Sequence, residues 1–399
     1  MRIAHIITRL IIGGAQENTV FTCEDLIHHY GDDVLLITGP PLGPEGSLID
    51  RARASGVPME LVPPLQRPIH RWRDWQSYDR LKNILRDFQA DVVHTHSAKG
   101  GILGRAAARA VGVPAIIHGV HGAPFHPYQS AIARNLFRAC EAWAAPRCDA
   151  FVSVADAMTD LMVDAGVAPR EKFTTVYSGM DVEPFLQADQ HRDRVRHELG
   201  YSPDHVVIGK VARLFHLKGH EYVIEAARAV VDANPNVRFL FIGDGILTDE
   251  YVEQIAAAGL TDHFQLTGLV PPARIPELVG AMDVVVHTSL REGLARVAPQ
   301  GLIAGKPVVS YDVDGAREVV ITDETGILLP PKCVDELADA LIRLAGDADL
   351  RHRLGTEGQK RFTDQFRHEE MTRQLRELYQ RVLASKQGNA PQQPATCND

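Results

Sequence analysis

The chain has no run of about 18 apolar residues, so no helix able to span a bilayer is expected. It has few cysteines, and none in a CxxC pair. The five are Cys23, Cys140, Cys148, Cys333 and Cys397. Their odd number and scatter fit a reducing compartment and argue against structural zinc. Excess positive charge is also absent: 42 basic residues stand against 51 acidic ones, for a net charge of −9. That balance excludes a general nucleic-acid binder, which would carry a basic footprint. No GxGxxG dinucleotide fingerprint occurs. The opening MRIAHIIT has too short an apolar stretch for a secretory leader, and no small-residue cleavage site follows it. It reads as a first strand, and the expected location is cytoplasmic, with the inner face of the membrane as an option.

The 399 residues suggest roughly two domains, and 45% hydrophobic content with 32 glycines is ordinary for an α/β protein. Short β-branched runs at 3–8, 34–38, 91–95, 115–118 and 151–154 alternate with amphipathic stretches at 15–29, 78–89 and 101–111. Continuous apolar strands spaced by helices predict a parallel sheet covered on both faces. The rhythm breaks at Ser178–Phe185 (SGMDVEPF) and restarts at 206–212, 237–242, 264–267, 283–287 and 307–310. Two Rossmann-like α/β domains are therefore expected, 1–185 and 186–366, with the linker near 180–200. Residues 386–399 read as a disordered tail. Residues 1–180 carry 18 basic and 18 acidic side chains, so the acidity lies in the second half. The neutral first half is the better face for an anionic acceptor or membrane.

In doubly wound sheets ligands sit beyond the carboxyl ends of the strands, so the residues after each strand carry the reading. Gly13, Gly14 and Ala15 join the first strand to a helical pattern. Glycine lets backbone approach an anion, and a helix start offers unbonded N–H groups. Arg213 and Lys218 flank the loop after the strand 206–212. Two cations at one strand end suit a diphosphate, though solvated surface residues would read alike. Gly243 and Gly245 end a strand, where they either let a base or ribose pack on the chain or make a plain turn. Glu292 follows another strand end, as a sugar-hydroxyl acceptor or a helix cap, and the amides of Gly293, Leu294 and Ala295 are expected at a helix start. Four histidines lie at strand ends: His94, His96, His118 and His121. Zinc is one reading, hydrogen bonding to a substrate another, and burial a third for His94 and His118. Asp312 and Asp314 have the spacing of a metal-binding pair, but a strand-ending turn accounts for them better.

Taken in order, these segments resemble the retaining glycosyltransferases of family 4. The resemblance covers nearly the whole chain: GGA at 13–15, HTHSAKGG at 94–101, HGVHG at 118–122, VARLFHLKG at 211–219, FIGDG at 241–245, SLREGLARVAPQGLIAGKPVV at 289–309 and DGAREVV at 314–320. It implies a GT-B fold, with two Rossmann-like domains facing across a central cleft. It also implies a hexosyltransferase-type activity using a nucleotide-sugar donor, UDP- or GDP-linked, without a metal or other cofactor. Gly14 would let the chain approach the donor, His121 would lie near the transferring sugar, and Arg213 and Lys218 would hold the diphosphate. Glu292 and the following amides would hold the sugar. His96 and Lys99 are candidates for the acceptor, which would be a sugar or a lipid-linked sugar of cell-surface polysaccharide or glycolipid synthesis. A helix over about 367–385 would return to the first domain.

One position departs from the family, which usually has a second Glu eight residues after the first, on the donor ribose. Here it is Gln300. Its carbonyl still accepts from a hydroxyl, and losing charge assistance costs on the order of 1 kcal/mol, or about tenfold in donor affinity. A nucleotide-sugar 2-epimerase and a non-catalytic nucleotide-sugar-binding regulator remain alternatives. On the acceptor side, residues 67–75 (RPIHRWRDW) mix cations with two tryptophans, and 125–147 add Phe125, Tyr128, Arg134, Phe137, Arg138, Trp143 and Arg147. Arg and Trp together suit peripheral contact with an anionic membrane. Core packing of Phe137 and Trp143 is the competing reading.

Overall fold

A computed structural model of the chain describes residues 1–43 and 46–386. The tail expected over 386–399 lies outside the described residues, apart from Lys386, which ends the last helix. The chain forms two compact units: Met1–Met180 with the segment from His368 onward, and Asp181–Arg367. The division falls slightly before the expected boundary after 185. Met180 accepts a hydrogen bond from the His368 amide at 3.2 Å, whereas Glu183 pairs with Arg367 at 2.8 Å.

The first unit holds a seven-stranded parallel sheet. Its strands are β1 (Arg2–Ile7), β2 (Asp33–Thr38), β3 (Met59–Leu61), β4 (Val92–His96), β5 (Ala115–Val120), β6 (Ala150–Ser153) and β7 (Phe173–Thr175). Their order is β3-β2-β1-β4-β5-β6-β7. The edge strands β3 and β7 have no apolar run to announce them, because edges are short and only partly buried. Side-chain alternation divides β1 between two cores. Ile3 and Ile7 meet Val20, Leu375 and Leu378 on one face; Ala4 and Ile6 meet Leu81, Leu85 and Ala107 on the other. The first face is covered by helices Gly14–His28 and His368–Lys386, the second by Arg71–Phe88 and Ala98–Val111.

The second unit repeats the plan with β8 (Val206–Val211), β9 (Val237–Ile242), β10 (Phe264–Leu266), β11 (Val284–His287), β12 (Val308–Tyr311) and β13 (Gly326–Leu329), ordered β10-β9-β8-β11-β12-β13. Its core packs Ile208, Phe239, Phe241, Val284 and Val309 against helix residues such as Val223, Val230, Leu337 and Leu341. In each unit the chain starts mid-sheet, winds outward one way, then crosses over to wind the other. The reversal lies between β1 and β4 in one sheet and between β8 and β11 in the other. These are the crevices where such folds bind ligands.

The returning helix His368–Lys386 is tied to the first unit by polar as well as apolar contacts. Asp25 accepts from the Thr372 hydroxyl at 2.8 Å and meets His368 Nδ1 at 2.9 Å. Arg376 donates to Asp32 at 2.7 Å. Tyr379, fully buried, places its hydroxyl 2.6 Å from His94 Nδ1. Tyr379→Phe leaves that ring nitrogen without its partner, and stability is expected to fall by about 1–3 kcal/mol. Chemical denaturation of the full chain, followed by a probe in the first unit, checks this; an unchanged midpoint would mean the bond contributes nothing.

Candidate active site

Three strand-end loops of the second unit are stitched together. The loop after β8 bonds to the loop after β9 through Leu214 N–H to Asp244 O at 3.0 Å, and to the loop after β11 through Leu290 N–H to Leu217 O at 2.8 Å. Gly243 and Gly245 make this approach possible. A Cβ on Gly243 would lie 2.2 Å from Ala212 O, and one on Gly245 would lie 2.2 Å from Leu214 O. Their necessity is thus met by the protein's own backbone, which is the turn reading of these residues. Leu217 and Gly219 both have positive φ, 67° and 70°, so Lys218 sits between two left-handed residues. Backbone strain of this kind at a non-glycine persists only where surroundings impose it.

Lys218 Nζ lies 2.5 Å from Glu292 Oε1, each side chain about one-quarter exposed. Burial pushes the Glu292 carboxyl up, but Lys218 and His287 outweigh it and hold its pKa below the usual carboxylate value. The loop carrying Glu292 is fixed from behind. Asp314, after β12, accepts from the Glu292 backbone N–H at 2.7 Å, and Gly315 N–H donates to Gly293 O at 3.0 Å. Lys210, fully buried on β8, donates to Thr288 Oγ1 at 2.9 Å, and that hydroxyl donates to Gly219 O at 2.6 Å. Burial, then Lys218, lowers the Lys210 pKa to about 7. Arg213 is exposed at the rim, its guanidinium 4.9 Å from the Phe215 ring centre.

Several expectations change here. Glu292 does not cap a helix, because the next helix is Val297–Ile303 with Arg296 at its cap. Gly293, Leu294 and Ala295 lie in the bend before that helix rather than in its first turn. Gln300 is half-buried on the helix itself. Asp312 is engaged with Arg317 at 2.7 Å, and Asp314 with the Glu292 amide, so the two act as turn residues. The parts played by Lys210, Thr288 and His287 do not appear in the sequence; Asp314 is expected as a turn residue, but not as the acceptor for the Glu292 amide.

In the first unit, Gly13 caps the helix Gly14–His28, and Ala15 is in its first turn. His121 follows β5. Its Nε2 is 3.0 Å from His96 Nδ1, and His96 Nε2 is 3.0 Å from His5 Nδ1. His96 is 1% exposed, so its expected contact with an acceptor gives way to a buried link between two other rings. Lys99 is held by Asp74 at 2.6 Å and by the Pro68 carbonyl, which ties it to a neighbouring helix. His118 is buried on the opposite face, its Nδ1 2.9 Å from Thr95 Oγ1. His5, His94 and His96 each bring one ring nitrogen within 4.8 Å of the others. Hydrogen bonding already joins His5 to His96 and His94 to Tyr379, and no carboxylate belongs to this group.

Models of two families match the chain: "Glycosyl transferase 4-like domain" over residues 19–179 and "Glycosyl transferases group 1" over 191–361. A 2-deoxystreptamine glucosyltransferase of Streptomyces kanamyceticus is 30% identical over 273 residues, 66% of this chain and 70% of that one. This chain belongs to the group 1 glycosyl transferases. A second relative, the UDP-Gal:alpha-D-GlcNAc-diphosphoundecaprenol alpha-1,3-galactosyltransferase of Escherichia coli, is 28% identical over 88% of this chain and 89% of its own. The solved structure of Anabaena HepE in complex with UDP aligns with TM-score 0.81 at 20% identity, covering 95% of this chain and all of that one. That likeness establishes the GT-B fold. The protein is thus a glycosyltransferase, and among its described residues no helix is long and apolar enough to cross a membrane.

The buried imidazoles of this group 1 transferase make its stability depend on pH. Burial lowers His5 from 6.5 to about 3, His121 to about 4 and His287 to about 3. Folded values below the unfolded ones mean that the unfolded chain binds more protons once the pH drops under 6.5. The stabilisation is complete above that value and is lost as pH falls towards 4, by up to about 1.4 kcal/mol per imidazole per pH unit. Thermal melts at pH 7.5 and pH 5 should show the lower midpoint at pH 5. Equal midpoints would mean the rings are not held neutral.

Proposed function

We propose that this enzyme transfers a hexose, with retention, from a nucleoside-diphosphate sugar bound at the strand ends of the second unit. The Lys218–Glu292 pair carries this reading: a cation and a carboxylate held together by three stitched loops at the sheet's reversal point. Arg213 and Lys218 meet the diphosphate, and Glu292 accepts from sugar hydroxyls. As the glycosidic bond breaks, negative charge grows on the β-phosphate, and fixed cations at that place lower the barrier without a metal. The acceptor attacks from the face the phosphate leaves, and the phosphate takes its proton. Gln300 meets the donor ribose by neutral hydrogen bonds only. A thermal-shift panel of UDP- and GDP-sugars should single out one donor, since binding to the folded state raises its stability. Arg213→Ala/Lys218→Ala should abolish that shift and lower kcat/KM at least tenfold. Wild-type turnover in this double variant would sink the diphosphate assignment, and epimer released from donor alone would replace transfer.

The acceptor is a lipid-linked sugar met at an anionic membrane surface. The E. coli relative is named for a diphosphoundecaprenol acceptor, which supports this choice. So does the surface of the first unit. Trp72 and Trp75 are 61% and 55% exposed on the helix Arg71–Phe88, with rings stacked 5.1 Å apart. Helix Ala131–Ala144 exposes Ile132, Leu136 and Trp143, while Phe137 packs partly against the core. Arg71, Arg73, Arg134 and Arg138 are exposed among them, and each contributes about 1 kcal/mol near an anionic surface, screened by salt. The enzyme should float with anionic liposomes at low salt and be released at high salt. Absence of flotation at low salt, or equal binding to neutral vesicles, would favour an acceptor free in solution.

A further inference from the structure

Four polar groups meet on one face of the first sheet, and three of them form a chain. His5 on β1 stands beside His94 on β4 in the strand register, and His96 stands beside Gly119 on β5. Gly119 is what lets the rings gather. A Cβ there would lie 3.1 Å from both His94 Nε2 and His96 Nδ1, and 3.3 Å from His121 Nε2. The chain runs His5 Nδ1 to His96 Nε2, then His96 Nδ1 to His121 Nε2, each step 3.0 Å. Its two ends, His5 Nε2 and His121 Nδ1, are buried atoms with no partner.

A neutral imidazole has one N–H and one lone pair, and burial keeps all three rings neutral near pH 7. A chain of such rings can point only one way at a time. If His5 donates to His96, His96 must donate to His121, and every ring carries its proton on Nδ1. If the direction reverses, every ring carries it on Nε2. The forward arrangement leaves a bare lone pair at His5 and an unpartnered N–H at His121. The reverse puts the unpartnered N–H on His5. An orphaned buried N–H is rarer in proteins than an under-used acceptor. His5 is 0% exposed. His121 as a residue is half-buried and lines a small cavity with Asn18, His94 and Gly119, so an N–H there is less confined than one on His5.

We propose that His5 and His96 are positioning residues for His121: they lock it in the Nδ1–H tautomer, so that it offers a hydrogen-bond donor to an oxygen of the bound substrate. The catalytic part of this inference rests on the placing of His121 beside the transferring sugar; the tautomer does not. The test begins with the wild-type full chain labelled with 15N-histidine. Two-bond proton–nitrogen correlations at pH 7, assigned by single replacements, should find His5, His96 and His121 all neutral and protonated on Nδ1. A proton on Nε2 of any one of them, or a mixed tautomer at His121, overturns the proposal even if the enzyme is an active transferase. His96→Asn keeps a polar group near the Nδ1 position, whereas His96→Leu keeps none. His96→Leu should release His121 into a tautomer mixture and lower kcat about tenfold, with His96→Asn recovering most of it. Melting curves of both variants identify any loss due to unfolding, and in that case the wild-type spectrum alone decides the tautomer. Full turnover in a folded His96→Leu variant overturns the positioning role. Failure of every nucleotide sugar to react in the wild type refutes the assigned function and leaves the tautomer result standing.

Discussion

Both sheets are wholly parallel and covered by helices on both faces, and that constraint decides where chemistry can occur. A parallel strand buried on both sides must be apolar along most of its length. Polar groups on such a strand need a partner inside the core or must emerge at its carboxyl end. In the second unit they emerge, as Lys218, Glu292 and Asp314 on loops that hydrogen-bond to one another. In the first unit they find each other, as His5, His96 and His121. The two halves answer one architectural constraint in opposite ways, one with fixed charges at the rim and the other with neutral rings inside.

The distinction carries through to electrostatics. The Lys218–Glu292 pair keeps part of its hydration, and the pKa of Glu292 is held below the usual carboxylate value, so its carboxylate can act on a substrate. Breaking one partner of a half-buried pair would leave the other exposed to a desolvation cost. The histidine chain contributes geometry instead. Its members are neutral, and the direction of its hydrogen bonds is the property it transmits. Lys210 stands between these cases: a fully buried amine that supports the left-handed Gly219 through the Thr288 hydroxyl.

The strand ends and the cation–carboxylate set were legible in the sequence because apolar runs locate strands, and the residues after them are few. Arg213, Lys218 and Glu292 each follow such a run. His5 was not legible. In RIAHII it occupies an ordinary place in a strand, and only the register with β4 brings it beside His94. Asp314 was read correctly as a turn residue, but its partner is the amide of Glu292, 22 positions earlier, a relation that depends on β11 and β12 being neighbours. His96 and Lys99 stand at or just after a strand end without being open to solvent. One ring turned inward to its neighbours, and one ammonium found a carboxylate on the adjacent helix.

The helix His368–Lys386 completes the core of a unit whose other elements end at Met180. The second unit is therefore an uninterrupted piece of chain that falls, in sequence, between the two segments of the first. During synthesis, Asp181–Arg367 has all its strands available before the closing helix has been made. The first unit, although it is translated earlier, must wait with the apolar side of β1, β2 and the helix Gly14–His28 uncovered. The core of the first unit can thus be completed only after the second unit has been synthesised, which leaves apolar surface open to aggregation for longer.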